Sequence, residues 1–273
     1  AQTTAPILQS ALLGFSIGPA IGGLLSHHMG LQLPFAVCSA GLVTSSLAAA
    51  SFLPETKGGV ERRRKMMIES KQPQMEGDPV SFSQLLRRPA LQGLGSVVFM
   101  NGFGQGAMPV TLVLHAMENL GMSGVAVGSM LTVNVLLMVA ISRPATTLSD
   151  AVASRKAMMV PALVVNALFT GMQPLASTAL EFGALVAFAS AGSAVSMPSI
   201  SPLVLDSTSE EERSKALAMR QTVSDVGTLI GASTMGMLAT SVDVQTAIQT
   251  VAALQGAAAA FFAYRVPSAG LSK

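Results

Sequence analysis

The sequence predicts an all-α, polytopic membrane protein of eight transmembrane helices, and three observations carry that prediction. First, eight long stretches hold almost no charge: residues 3–26, 33–53, 90–116, 122–141, 157–175, 182–205, 222–241 and 244–264, interrupted only by Asp225. A helix needs about 20 apolar residues to cross a hydrocarbon core of roughly 30 Å, and tilt absorbs small mismatches. Second, 50% of the residues are hydrophobic, only 11% are charged, and mean hydropathy is +0.56; soluble domains carry about 25% charged residues. Third, threading the eight spans puts all 16 Lys and Arg residues on one side. Basic residues near spans stay cytoplasmic, so both termini are expected inside. The net charge of +2 is therefore topogenic and gives no argument for nucleic acid.

Taken in order, span one carries Gly14, Gly18 and Gly22, a glycine every four residues, followed by Gly23, with Pro19 between them. Such a row lets a neighbouring helix approach closely, while Pro19 bends its own helix. Span two contains Cys38, the only cysteine. That excludes a disulfide framework or a cysteine metal cluster, and a free Cys is expected to pack as a small buried hydrophobe. Residues 54–88 form a basic linker whose last part, Ser81-Phe82-Ser83-Gln84-Leu85-Leu86, is expected to lie on the membrane surface. The chain thus divides into two spans (1–53), a linker (54–88) and six spans (89–273).

Span three places Asn101, Gln105 and Met108 on or near one face, among Gly102, Gly104 and Gly106 and before Pro109. That mixture predicts a helix that flexes or breaks, as helices bordering membrane binding sites do. Asn134 in span four, Asn166 in span five and Ser190, Ser193 and Ser196 in span six fit two roles. Either they make interhelical hydrogen bonds, worth about 0.6 kcal/mol each, or they line one cavity with Asn101 and Gln105. His27, His28 and His115 fall at turns on the outer side and are expected to be solvated. A metal site needs three or four suitable ligands; none is expected, and no cofactor is implied.

Glu210, Glu211 and Glu212 precede span seven, where acids complement the positive end of a helix. Asp225 lies inside that span. Ten residues beyond Lys215, at about 1.5 Å each, put it about 15 Å along the helix. A carboxylate at mid-membrane costs about 2.5–3.5 kcal/mol unless paired or wet. Gln221 lies one turn earlier on the same face. Two roles remain open for Asp225: a structural or gating partner of Arg220 or another basic residue, or a proton carrier. The short final connection, Val242-Asp243-Val244, turns the chain into span eight.

Span one also aligns without gaps to span seven. Gly14, Ile17, Gly18, Gly23 and Leu25 meet Gly227, Ile230, Gly231, Gly236 and Leu238. The copies run in one direction six spans apart, as parallel repeats of six-helix units do. With two spans before the linker, the pattern implies four further helices upstream.

The chain resembles a transporter of the major facilitator superfamily, from the fifth of its twelve helices onward. The Gly14-x3-Gly18-Pro19-x2-Gly22-Gly23 segment is similar to the helix-five motif of proton-coupled antiporters, and Leu53-Pro54-Glu55-Thr56 is similar to the end of their helix six. Leu148-Ser149-Asp150 with Arg155-Lys156 resembles a worn loop between helices eight and nine, in which Thr146, Ala151 and Ala153 replace two glycines and an arginine of the family pattern. Arg220-Gln221-x3-Asp225-x-Gly227-x3-Gly231 resembles helix eleven.

The resemblance implies a C-terminal six-helix bundle preceded by the last two helices of an N-terminal bundle. Such proteins move a small solute across a lipid bilayer, here with protons as the coupled ion. Asn101, Gln105, Met108, Asn134, Asn166, Ser193 and Gln221 are the expected substrate contacts. Asp225, Arg220, Asp150 and Arg155 are the expected coupling or gating residues, and Gly14, Gly18, Pro19, Gly22, Gly23, Gly227 and Gly231 the packing motif that seals the route. A transport-inactive helical membrane scaffold or truncated paralogue is the alternative. An enzyme is not expected, since no nucleophile–base pair or metal quartet occurs at helical spacing.

Overall fold

The computed structural model describes residues 14, 18, 21–26, 30, 32–52, 82–151 and 154–266. Pro19, His27, His28 and the Leu53-Pro54-Glu55-Thr56 segment lie outside them. The described regular structure is entirely helical. The helices are α1 (Gln32–Phe52), α2 (Phe82–Leu86), α3 (Pro89–Leu114), α4 (Gly124–Ala151), α5 (Arg155–Met172), α6 (Ala179–Asp206), α7 (Arg213–Ser241) and α8 (Val244–Arg265). A π-helical turn, His115–Asn119, prolongs α3, and a 3₁₀ turn, Gln173–Leu175, prolongs α5.

Six of these helices, with their extensions, are long and apolar enough to cross a membrane: α1, α3, α4, α5, α6 and α8. The seventh expected span differs. At 29 residues α7 is long enough, but its hydroxyls, glycines, Arg213, Lys215, Arg220 and Asp225 lower its hydropathy below that of its neighbours. Its burial is supplied by other helices.

The chain forms two compact units, Leu25–Ser81 and, separately, Ala1–Leu24 with Phe82–Lys273. In the first unit α1 has no buried residue. Cys38, expected to be buried, is exposed there, because none of the described residues packs over it. In the second unit α3 packs on α7 and α8, α5 on α6 and α8, and α4 on α6. Two apolar clusters hold it together: Met100, Phe103, Met235, Ala247 and Val251 in one, and Leu112, Ala116, Val127, Phe182 and Val186 in the other.

Local chemistry sets the helix ends. Pro89 starts α3, where its missing N–H costs nothing. Thr178 caps α6 in a capping box: its hydroxyl accepts from the Glu181 N–H at 3.2 Å while its own N–H donates to the Glu181 carboxylate at 3.3 Å. Asp243 caps α8 by accepting from the Thr246 hydroxyl and from the Thr246 N–H, each at 2.6 Å, and these bonds, the hydroxyl's first, hold its carboxyl below the ordinary carboxylate range. Internal prolines are tolerated, as is usual for membrane helices flanked by other helices.

Here one expectation is corrected. Despite its glycines and Pro109, α3 does not break; it runs unbroken from Pro89 to Leu114. A Cβ at Gly102 or Gly106 would strike the carbonyl oxygens of Ser224 and Thr228 on α7, and one at Gly227 or Gly231 would strike those of Phe99 and Phe103 on α3. The four glycines form a reciprocal seam along which the two backbones touch. Close approach, rather than bending, is their use. By contrast, a Cβ at Gly14, Gly18 or Gly22 would meet nothing described within 4 Å, whereas Gly23 lies against the Gly124 carbonyl at the start of α4.

Candidate functional site

The outer surface of α7 is divided lengthwise. Residues 221, 225, 228, 232 and 236 recur at steps of three or four and so share one face. They are Gln221, Asp225, Thr228, Ala232 and Gly236, all exposed or half-buried. Beside them runs an apolar stripe with Val226, Leu229, Ile230 and Met237, of which Leu229 and Met237 are each 71% exposed. The hydroxyls of Thr222, Thr228, Ser233, Thr234 and Thr240 on α7 donate to carbonyls of the preceding turn, Thr228 to that of Ser224 at 3.0 Å. Gln221 and Asp225 do not. The Gln221 amide donates to the Asp225 carboxylate at 2.8 Å, and Arg220 donates to the Gln221 oxygen at 3.5 Å and to Ser201 Oγ on α6 at 3.1 Å. The expected Arg220–Asp225 pairing therefore runs through Gln221. Asp225 lies about 18 Å from the start of its helix at 1.5 Å per residue, and it is exposed. On the neighbouring α3, Gln105 is also exposed.

The remaining expected polar set divides. Asn101, Asn166 and Ser193 do come together, with Ser196 and Gln255, around a cavity of about 30 Å³ between α3, α5, α6 and α8. Asn166 donates to the Ala189 carbonyl at 2.7 Å and to Ser193 Oγ at 2.8 Å. Met108 packs instead against both apolar clusters, and Asn134 sits on α4 away from that cavity. Gln255 was not anticipated. Its only signal was an amide in an alanine-rich span.

One end of the unit is tied by charge. Arg88 donates to both carboxylate oxygens of Glu212, at 2.9 and 2.7 Å. Arg155 pairs with Asp206 at 2.7 Å, and Lys156 Nζ donates to the carbonyls of Ala263 (2.7 Å) and Val266 at the end of α8. So the acidic run before α7 does more than complement a helix end, because Glu212 reaches α3. Leu85 of α2 is fully buried within this unit, while its neighbour Leu86 is exposed. Asp150 lies within α4, and its side chain is outside the described residues.

His115, expected to be solvated, is 1% exposed. It opens the π turn, with its ring 5.2 Å from that of Phe182, and neither of its nitrogens has a hydrogen-bond partner. It lies four residues beyond buried Thr111, so the face of α3 that packs inward carries it into the interior. Among the described residues no group of His, Cys, Asp and Glu could hold a metal ion.

Residues 94–273 match the family model of the Major Facilitator Superfamily. The chain belongs to that superfamily. The match begins within α3 and includes α4 to α8, so it covers the divided face of α7 and the interior cavity, and of the charged end all but Arg88 and α2. Membership makes the chain a transmembrane transporter and not an enzyme. No curated protein matches the chain.

Proposed function

We propose that this major facilitator exports a small organic solute in exchange for protons by alternating access, with the polar stripe of α7 lining its aqueous route. One observation carries the reading: an exposed carboxylate–amide pair, Asp225 with Gln221, near the middle of a helix whose flank is apolar. In hydrocarbon such a pair is costly, so that stripe belongs toward water and the apolar stripe toward lipid or protein. Gln105 and Gln221 contact the solute, Asp225 carries the proton, and Arg220 positions Gln221 from Ser201. Asn101, Asn166 and Ser193 support this face from inside the bundle. The one-sided Lys and Arg read from the sequence support a cytoplasmic location for both termini, with the Arg155–Asp206 pair at the cytoplasmic gate.

The test needs no knowledge of the solute. Cys38 is the only cysteine, so a Cys38→Ser background is free of thiols. In membranes, Ala232→Cys is expected to react with a water-soluble maleimide, while Met237→Cys, on the apolar stripe, is not. Equal labelling at the two positions would overturn the aqueous-route reading.

A further inference from the structure

We propose that the cavity between α3, α5, α6 and α8 is an internal hydration site, which holds one or two ordered waters anchored by Gln255. Its volume is about 30 Å³, and roughly 10–15 Å³ suffices for one water. Size alone would not fill it, because apolar cavities of this kind stay dry. The lining decides. Asn101, Asn166, Ser193, Ser196 and Gln255 bring amides and hydroxyls from all four helices to one space, without a charged group among them.

The hydrogen bonds leave a gap that water fits. Asn166 uses its amide N–H groups on the Ala189 carbonyl and Ser193 Oγ. Its carbonyl oxygen is free to accept. Ser193 accepts from Asn166, so its own hydroxyl proton is available to donate. Ser196 is committed to the Ser193 carbonyl at 3.3 Å. Gln255 Oε1 is buried with no protein partner. An unsatisfied buried acceptor costs about 1–3 kcal/mol, and buried waters make about three bonds to such groups. A water donating to Gln255 Oε1 and accepting from Ser193 satisfies both.

The Gln255 amide nitrogen would lie 3.0 Å from a Cβ built on Gly104. That glycine leaves room for the amide to reach the space between α8 and α3. The site is thus a wet joint between α3, α5, α6 and α8, on the opposite side of α3 from its glycine seam with α7. The solute route is not involved, so the proposal stands apart from the transport reading.

Two methionines of similar burial make the test internal. Met100, 8% exposed, lines the cavity; Met235, 6% exposed, lies in the same apolar cluster but not on the cavity. Under millisecond X-ray radiolysis of the intact protein, hydroxyl radicals form from the waters that are present, buried ones included. Met100 is expected to oxidise several-fold faster than Met235, and Gln255→Leu is expected to bring it down to the Met235 rate. Equal rates in the wild-type protein would show the cavity dry and end the proposal, whether or not the variant folds. A fast Met100 unchanged by Gln255→Leu would overturn Gln255 as the anchor.

Discussion

At the scale of single residues, the Arg88–Glu212 pair is the best defined electrostatic contact. The Glu212 carboxyl is pulled from 4.5 to about 2, first by the hydrogen bond from Arg88 and then by the Ser209 backbone N–H. A depressed carboxyl contributes stability that is complete above its unfolded value and is lost as pH falls through its folded value. The melting temperature of the detergent-solubilised protein is therefore expected to drop between pH 4.5 and about 2, and by less in Glu212→Gln. Identical pH profiles for the two proteins would show that the pair does not stabilise the fold. Neither this pair nor the burial of His115 was legible in the sequence. A run of three glutamates gives no sign of which one meets an arginine 124 positions away, and one His at a helix end reads as solvated until the packing of α3 against Phe182 is seen.

At the scale of elements, the α3–α7 seam makes a sharper contrast. Gly231→Ala places a methyl against the Phe103 carbonyl. Backbone cannot yield as a side chain can, and overpacking of this kind costs typically ~1–3 kcal/mol. Gly236→Ala on the same helix meets nothing within 4 Å and is expected to be neutral or stabilising by up to ~1 kcal/mol, the helix-propensity difference. Thermal melts of the two variants check both expectations. The sequence displayed the glycines of both helices, but their meaning differed from one helix to the other. In α7 the alignment with span one and the family resemblance pointed to Gly227 and Gly231 as a packing motif. In α3 the same residue type beside Pro109 was consistent with a break, and only the carbonyls of Ser224 and Thr228 opposite show that it is the other half of the seam.

At the scale of the whole molecule, proton coupling is the reading most open to test. With the intact protein in proteoliposomes and ethidium as a probe organic cation, an imposed pH gradient is expected to drive flux in the wild type. Asp225→Asn, which keeps the side chain's shape and its bond to Gln221, is expected to abolish the response to the gradient. Gradient-driven flux that survives the substitution would remove Asp225 from the coupling role. Ala232→Cys and Met237→Cys labelling examines the aqueous face independently, so a failure of coupling would leave that face to be judged on its own result.

Apolar length and sparse charge determined by themselves that the chain is helical and membrane-embedded, and most ends of its described helices fall within three residues of those read from the sequence; α4 runs ten residues past its apolar stretch, to Ala151, and α7 begins nine residues before its own, at Arg213. That follows because hydrocarbon requires each spanning segment to satisfy its own backbone. Tertiary structure alone decided which polar residues share a space. Asn101, Asn166 and Ser193 meet inside the bundle with Gln255, while Gln105, Gln221 and Asp225 remain on its surface. Polar residues on six helices have many possible partners, and the choice among them depends on how each helix is rotated about its axis. That rotation is set by side-chain packing and by backbone contacts such as the glycine seam, where the partner lies more than 100 residues away.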